Sequence, residues 1–318
     1  MATAVNTISG PGIPLEVNST FTPLGIRFWD LLQNVPITDG LAVNLRLETS
    51  PSAPLNAVLT RSGVYGFFGL PGLRAVESQL RNLGPPRIFR YIVTVQDLLG
   101  RYQPAVLIYS LDQTGAVPGG SPPGSSPPGS STGVRPAYLF STASRQVPNG
   151  VGAVRASLAD RDNLVNGVYQ PAAWALVRVQ VSGDSEVWTG MSDASGQVLI
   201  PLPYPLLQRL QLGSPPGAGQ GNIAGESWPI TVQVQYNPSQ LAFPLAGMAD
   251  VDWPWTVTPN LRSILEQVGA TIWPDPATPA SQISATLTFG QDTVLRSRTG
   301  SPPTISSTLL ISRGSSPP

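Results

Sequence analysis

Proline and glycine punctuate this chain so densely that little except short strands fits between them. The 318 residues include 35 prolines and 32 glycines. Proline removes a backbone donor and breaks helices, and glycine supplies the turn conformations that other residues avoid. One phrase recurs: GSPP at Gly120–Pro123, Gly213–Pro216 and Gly300–Pro303, and GSSPP at Gly124–Pro128 and Gly314–Pro318. The stretch Gly119–Gly133, GGSPPGSSPPGSSTG, holds no side chain that a core could use, so its burial would not repay its ordering entropy. The expectation is an all-β chain of two tandem antiparallel sandwiches. Its divisions are an extended arm over 1–20, a first sandwich over 21–114, a Gly/Ser/Pro linker over 115–133, a second sandwich over 134–313 and a tail over 314–318.

The strand signals lie on either side of that linker. Leu41, Val43, Leu45 and Leu47 alternate to one face, and Arg87–Val95 is strongly β-prone. Between them, Ser62-Gly63 marks a turn and Leu70-Pro71-Gly72 a corner. Asp97–Arg101 reads as a turn before a strand at Ala105–Leu111. In the second half Val134–Phe140 opens the module, and Ala173–Val181 is its clearest strand, with Trp174, Leu176, Val179 and Val181 on the buried side. Asp193–Gly196 is a turn, and Ile230, Val232, Val234 and Tyr236 alternate without a break. One helix is expected near the C-terminus: Thr258 caps it, Pro259 takes its first position, Leu261, Ile264, Leu265 and Val268 form its apolar stripe, and Gly269 stops it.

What the chain lacks bounds its chemistry. It has no histidine, no cysteine and, on direct reading, no lysine, so all 18 basic residues are arginine. Serine–histidine and cysteine–histidine pairs, thiolate or imidazole zinc sites and Schiff-base lysines are therefore excluded. A non-enzymatic protein without cofactor or metal is expected. Eighteen acids balance the arginines, and a neutral chain has no global field to attract nucleic acid. The start, MATAVNTISGPGIPLEVNSTF, has no basic residue followed by an apolar run, and no segment approaches the roughly 18 apolar residues of a spanning helix. These features predict a cytoplasmic product with no direct membrane insertion.

Carboxylates are the remaining acid–base groups. Asp160 with Asp162, Asp184 with Glu186, and Asp250 with Asp252 are i, i+2 pairs that read as solvated loop residues. ADRDNLVNG, with Asp160, Asp162, Asn163 and Asn166, offers the best set of calcium oxygens but lacks the glycine and distal glutamate of an EF-hand loop. Trp253 and Trp255 share one face at strand spacing, open to three readings: a stacking platform for a sugar, packing into the sandwich, or a subunit contact. The other tryptophans, Trp29, Trp174, Trp188, Trp228 and Trp273, read as core or module contacts. The arm carries Ile13, Leu15 and Val17 at alternating positions, which suits either a disordered terminus or a strand added to a neighbour's sheet.

Two resemblances add to this reading. SGVYGFFGLPGLRAVE, followed by RYIVTVQDLLGRYQP, resembles the carboxypeptidase-regulatory or transthyretin-like module in its turn glycine, aromatic strand and LP-G corner. PAAWALVRVQVSGDSEVWTGMSDASGQVLIPLPYP and ATLTFGQDTVLRSR are similar to proteins encoded with phage-tail-like contractile injection systems. The second resemblance implies a structural protein that assembles with sheath, tube, cap or baseplate subunits, with cap and baseplate ends equally open. It implies a symmetric, hexameric homo-oligomer and transfers no site residues. The alternative is a carbohydrate-binding or adhesin-like module, resting on Trp253 and Trp255.

Overall fold

The computed structural model describes residues 24–49, 53–73, 88–112, 134–205, 226–247, 255–300 and 304–314. The architecture is all-β with one short helix among these residues, and the chain forms two compact units. The first runs through Asp30 and takes in Asn34–Leu98 and Val106–Leu139; the second takes in Leu31–Gln33, Leu99–Ala105 and everything from Phe140.

In the first unit β1 (Leu24–Asp30) is the axis of one sheet. β6 (Tyr65–Phe67) pairs with its first half and β2 (Val35–Pro36) with its end, both antiparallel, and β5 (Val58–Leu59) flanks β6. The opposing sheet runs β4 (Leu55–Asn56), β3 (Leu41–Leu47), β7 (Ile88–Asp97), β8 (Ala105–Asp112). Alternation puts Ile26, Phe28, Val43 and Leu45 inside, as period-two strands require. The Tyr65 ring meets Phe28 edge-on at 5.4 Å.

The corner at Leu70-Pro71-Gly72 is a type II turn. Leu73 N donates to Leu70 O at 3.1 Å, and Gly72 has φ +87°. A Cβ on Gly72 would stand 2.6 Å from the Phe89 ring, so the position requires glycine twice over. Tyr91, fully buried on β7, donates its hydroxyl to Pro71 O at 2.7 Å and ties that corner to the opposing sheet.

β9 (Val134–Leu139) differs from the sequence expectation. It pairs in parallel with β1, from Gly25↔Val134 to Asp30↔Leu139, and so belongs to the first unit instead of opening the second. The composition of residues 115–133 marks where a core cannot continue, but says nothing about which sheet receives the next strand. Strands that are not joined by a tight turn need a long connection, and here that connection lies within one unit.

The second unit is a sandwich around β10 (Val151–Val165). The first half of β10 pairs with β14 (Gln197–Pro203) and, in parallel, with β19 (Thr293–Leu295); its second half pairs with β11 (Val168–Pro171) and, in parallel, with β22 (Leu309–Ser312). β16 (Thr271–Asp275) and β17 (Thr278–Ala280) extend this sheet beyond β22. The facing sheet is β13 (Val187–Met191), β12 (Leu176–Val181), β15 (Ser227–Gln235), β18 (Gln282–Thr288). Val154, Val177, Val179, Ile200, Val232 and Ile272 meet between them, with Trp188 and Trp228 packed alongside. A small hairpin, β20 (Arg298–Thr299) and β21 (Thr304–Ile305), completes the strand set. The late strands thus finish the second sandwich.

Three local expectations are corrected. Trp174 precedes β12 and sits in a turn at φ +63°, although it is buried. Its carbonyl accepts from Gln267 Nε2 at 2.7 Å, while Ser192 Oγ bonds Ala172 O and Ala175 N on either side. These buried bonds hold a conformation that bulky residues rarely adopt. The helix α1 (Leu261–Leu265) is a single turn, and its cap is Asn260, whose side chain accepts from Arg262 N, in place of Thr258. Trp255 opens a 3-10 turn, Trp255–Val257, instead of lying on a strand, as the lost donor of the preceding Pro254 favours.

Candidate functional site

The candidate site grows from β10, the longest strand. Its register with β11 breaks between Asp160↔Gln170 and Leu164↔Tyr169, leaving Arg161, Asp162 and Asn163 with nothing opposite them. Such a bulge bends the strand and re-aims the residues beyond it. There the strands close on Asn166-Gly167, with φ +51° and +78°. Two consecutive positive φ values make a type I′ turn, the hairpin geometry that Asn-Gly favours.

The base of this hairpin is pinned through Asp160. Its side chain is 1% exposed, where the sequence expectation was a solvated loop carboxylate. Its Oδ1 accepts from Asp162 N at 2.9 Å and its Oδ2 from Tyr236 Oη at 3.1 Å, with Arg313 Nη2 at 3.6 Å. Asp162 Oδ2 accepts from Arg313 N at 2.9 Å, and Gly314 N donates to Tyr236 O. Burial, reinforced by the Asp160 charge, pushes the Tyr236 phenol well above its ordinary range. Arg161 covers the Trp273 ring at 3.5 Å, and Trp273 Nε1 donates to Ser312 Oγ. The carboxylates of Asp160 and Asp162 are thus occupied in holding β10, β15 and the end of β22 together, which leaves them in no position for acid–base work. The reason the loop reading fails is that the buried Tyr236 hydroxyl and the nearby guanidinium compensate the desolvation of Asp160.

The tip is the opposite case. Leu164, Val165, Val168 and Tyr169 are 56%, 48%, 64% and 38% exposed. Leu164 stands across from Tyr169 and Val165 across from Val168. Directly paired residues share a face and successive ones alternate, so both faces of the tip are apolar. No residue from Asn163 to Gln170 is charged.

Of the candidates read from the sequence, Ile13, Leu15, Val17, Trp253, Asp250 and Asp252 lie outside the described residues, as does the Trp255 side chain. Asp184 and Glu186 sit in an exposed turn, where Asp184 Oδ1 accepts from Glu186 N at 3.1 Å. Among the described residues no three acidic, histidine or cysteine side chains converge. Sequence reasoning missed the apolar tip because NLVNGVY was read as part of a calcium loop. The Asn-Gly flanked by apolar residues was the available hairpin signal.

No protein-family model and no curated protein matches the chain. Among solved structures it is similar to the TIE protein of Bacillus anthracis, at 10% identity over 91% of this chain and 48% of that one, with a TM-score of 0.20. It is also similar to a C-terminal fragment of the pilus adhesin SpaC of Lactobacillus rhamnosus GG, at 12% identity over 91% and 96%, again with a TM-score of 0.20. The chain therefore spans about half the length of the Bacillus protein. Neither likeness assigns a family. Among the described residues no helix is long and apolar enough to cross a membrane.

Proposed function

We propose that this chain is a non-catalytic assembly subunit, a pair of rigid sandwiches that works by contact with other subunits. The observation that carries the reading is the apolar, uncharged hairpin tip projecting from a base whose polar groups are spent on internal bonds. A chain selected for isolation in water does not keep four large apolar side chains together on one projection. The finer assignment, a component at the cap or baseplate end of a contractile injection particle, is supported by the sequence resemblance of Pro171–Pro205 and Ala285–Arg298. In that setting the arm with Ile13, Leu15 and Val17 adds a strand to a neighbouring subunit.

Purification of particles from cells expressing the tagged chain tests this directly. Sheath and tube subunits should co-purify, and deletion of residues 1–20 should remove the chain from particles while leaving its circular dichroism unchanged. Full incorporation of the truncated chain would reject the arm, and absence of sheath and tube would reject the particle. Binding to a defined glycan, lost on replacing Trp253 and Trp255 by alanine, would move the assignment to a carbohydrate-binding surface module.

A further inference from the structure

The second unit carries a second exposed apolar feature, and the two together point to what receives the hairpin. Phe243, Val257 and Leu265 are 39%, 39% and 47% exposed. They gather around α1: Asn260 N donates to Ala242 O at 2.7 Å, and Ala242 N donates to Ser263 Oγ at 3.1 Å, fixing the Phe243 segment beside the helix turn that bears Leu265. We propose that the tip formed by Leu164, Val165, Val168 and Tyr169 docks on the Phe243, Val257 and Leu265 surface of a second copy of this chain, head to tail. This deepens the assembly reading and rests on it.

Three observations select that occupant. The tip is uncharged, so its receptor is apolar and neutral, and the chain itself carries such a surface. Donor and acceptor are different surfaces of one unit, so each copy gives one contact and receives one, the arrangement that closes into rings. The four tip side chains offer only a few hundred Å², less than half of the roughly 800 Å² per partner in a stable two-subunit interface. A tip-to-tip dimer is therefore too small to persist, whereas a closed ring gives every copy two such contacts. The apex argues against a lipid occupant: Asn166-Gly167 is the leading edge, and a polar amide would have to enter hydrocarbon first.

The chain has no cysteine, so Val168→Cys carries a benzophenone label at one place only. Photolysis of the labelled full chain should give a product of twice 33.5 kDa, with peptide mapping joining residue 168 to the segment around Phe243–Leu265. The pair Leu164→Ser with Val168→Ser should weaken self-association at least tenfold by light scattering, with an unchanged melting temperature because both side chains are exposed. Equal self-association of parent and pair, a label joined only to lipid or to an unrelated protein, or a parent that stays monomeric without self-linking overturns the proposal. If the paired variant enters particles normally while deletion of residues 1–20 blocks entry, the hairpin inference fails and the assembly reading stands. Self-linking in a chain that recruits no sheath or tube sinks the particle reading and leaves the hairpin contact in place.

Discussion

Two tyrosines set how this chain responds to alkali. Burial pushes the Tyr91 phenol up to about 12, and burial with the adjacent Asp160 raises Tyr236 as well. An unfolded tyrosine titrates near 10, so both groups hold their protons more tightly in the folded chain. The stabilisation is complete below pH 10 and declines as the pH rises above it, because the unfolded chain then releases protons that the folded chain keeps. Urea unfolding at pH 8, 10 and 11 should show a midpoint that is level up to pH 10 and lower at pH 11. Tyr236→Phe should cost about 1–2 kcal/mol at pH 8, through the donor lost from buried Asp160, and should also make the alkaline fall shallower. An unchanged alkaline slope in that variant would mean Tyr236 is not the responsible group. Asp160 also shows the limit of reading single residues: its neighbours in sequence are polar, but its partners Tyr236 and Arg313 come from distant strands.

Turns were the most legible elements. In both units Ser-Gly closes a tight hairpin loop: Gly63 N donates to Thr60 O at φ +73°, and Gly196 N donates to Asp193 O at φ +78°. Asp193 Oδ1 completes the second loop by accepting from Ser195 N and Gln197 N. Glycine is needed for different reasons at different turns. A Cβ at Gly196 would lie 2.4 Å from the Leu158 carbonyl, whereas at Gly150, with φ +82°, it would meet nothing. Gly150→Ala should therefore cost about 1 kcal/mol of backbone strain, and Gly196→Ala about 3 kcal/mol or more, since the obstructing atom is backbone. Equal losses in thermal melts would show that φ alone decides both. β10 was the least legible element. Its Gly152, Ala153, Ala156 and Ala159 lack the β-branched or aromatic pattern that marks a strand, and it becomes one only because four neighbours bond to its two halves.

At the scale of the whole chain, all-β architecture followed from punctuation, but allegiance of strands to units did not. Local alternation says that a strand has a buried face; it carries no record of which partner buries it. Val134–Leu139 illustrates this, since Ala137 and Leu139 are buried within the first unit although they follow the Gly/Ser/Pro run. The consequence is measurable. With a specific protease site inserted between Gly124 and Ser125, cleavage would separate β1–β8 from β9–β22 along the chain. The register from Gly25↔Val134 to Asp30↔Leu139 would survive the cut, because a ladder of backbone bonds and two buried side chains does not depend on the connection. The nicked protein should therefore run as one species on a native column and resolve into two fragments only in denaturant. Replacing Ala137 and Leu139 by aspartate should release the N-terminal fragment without denaturant, because each change buries a charge with no compensating partner. Spontaneous separation of the unmodified nicked chain would mean that β9 does not belong to the first unit.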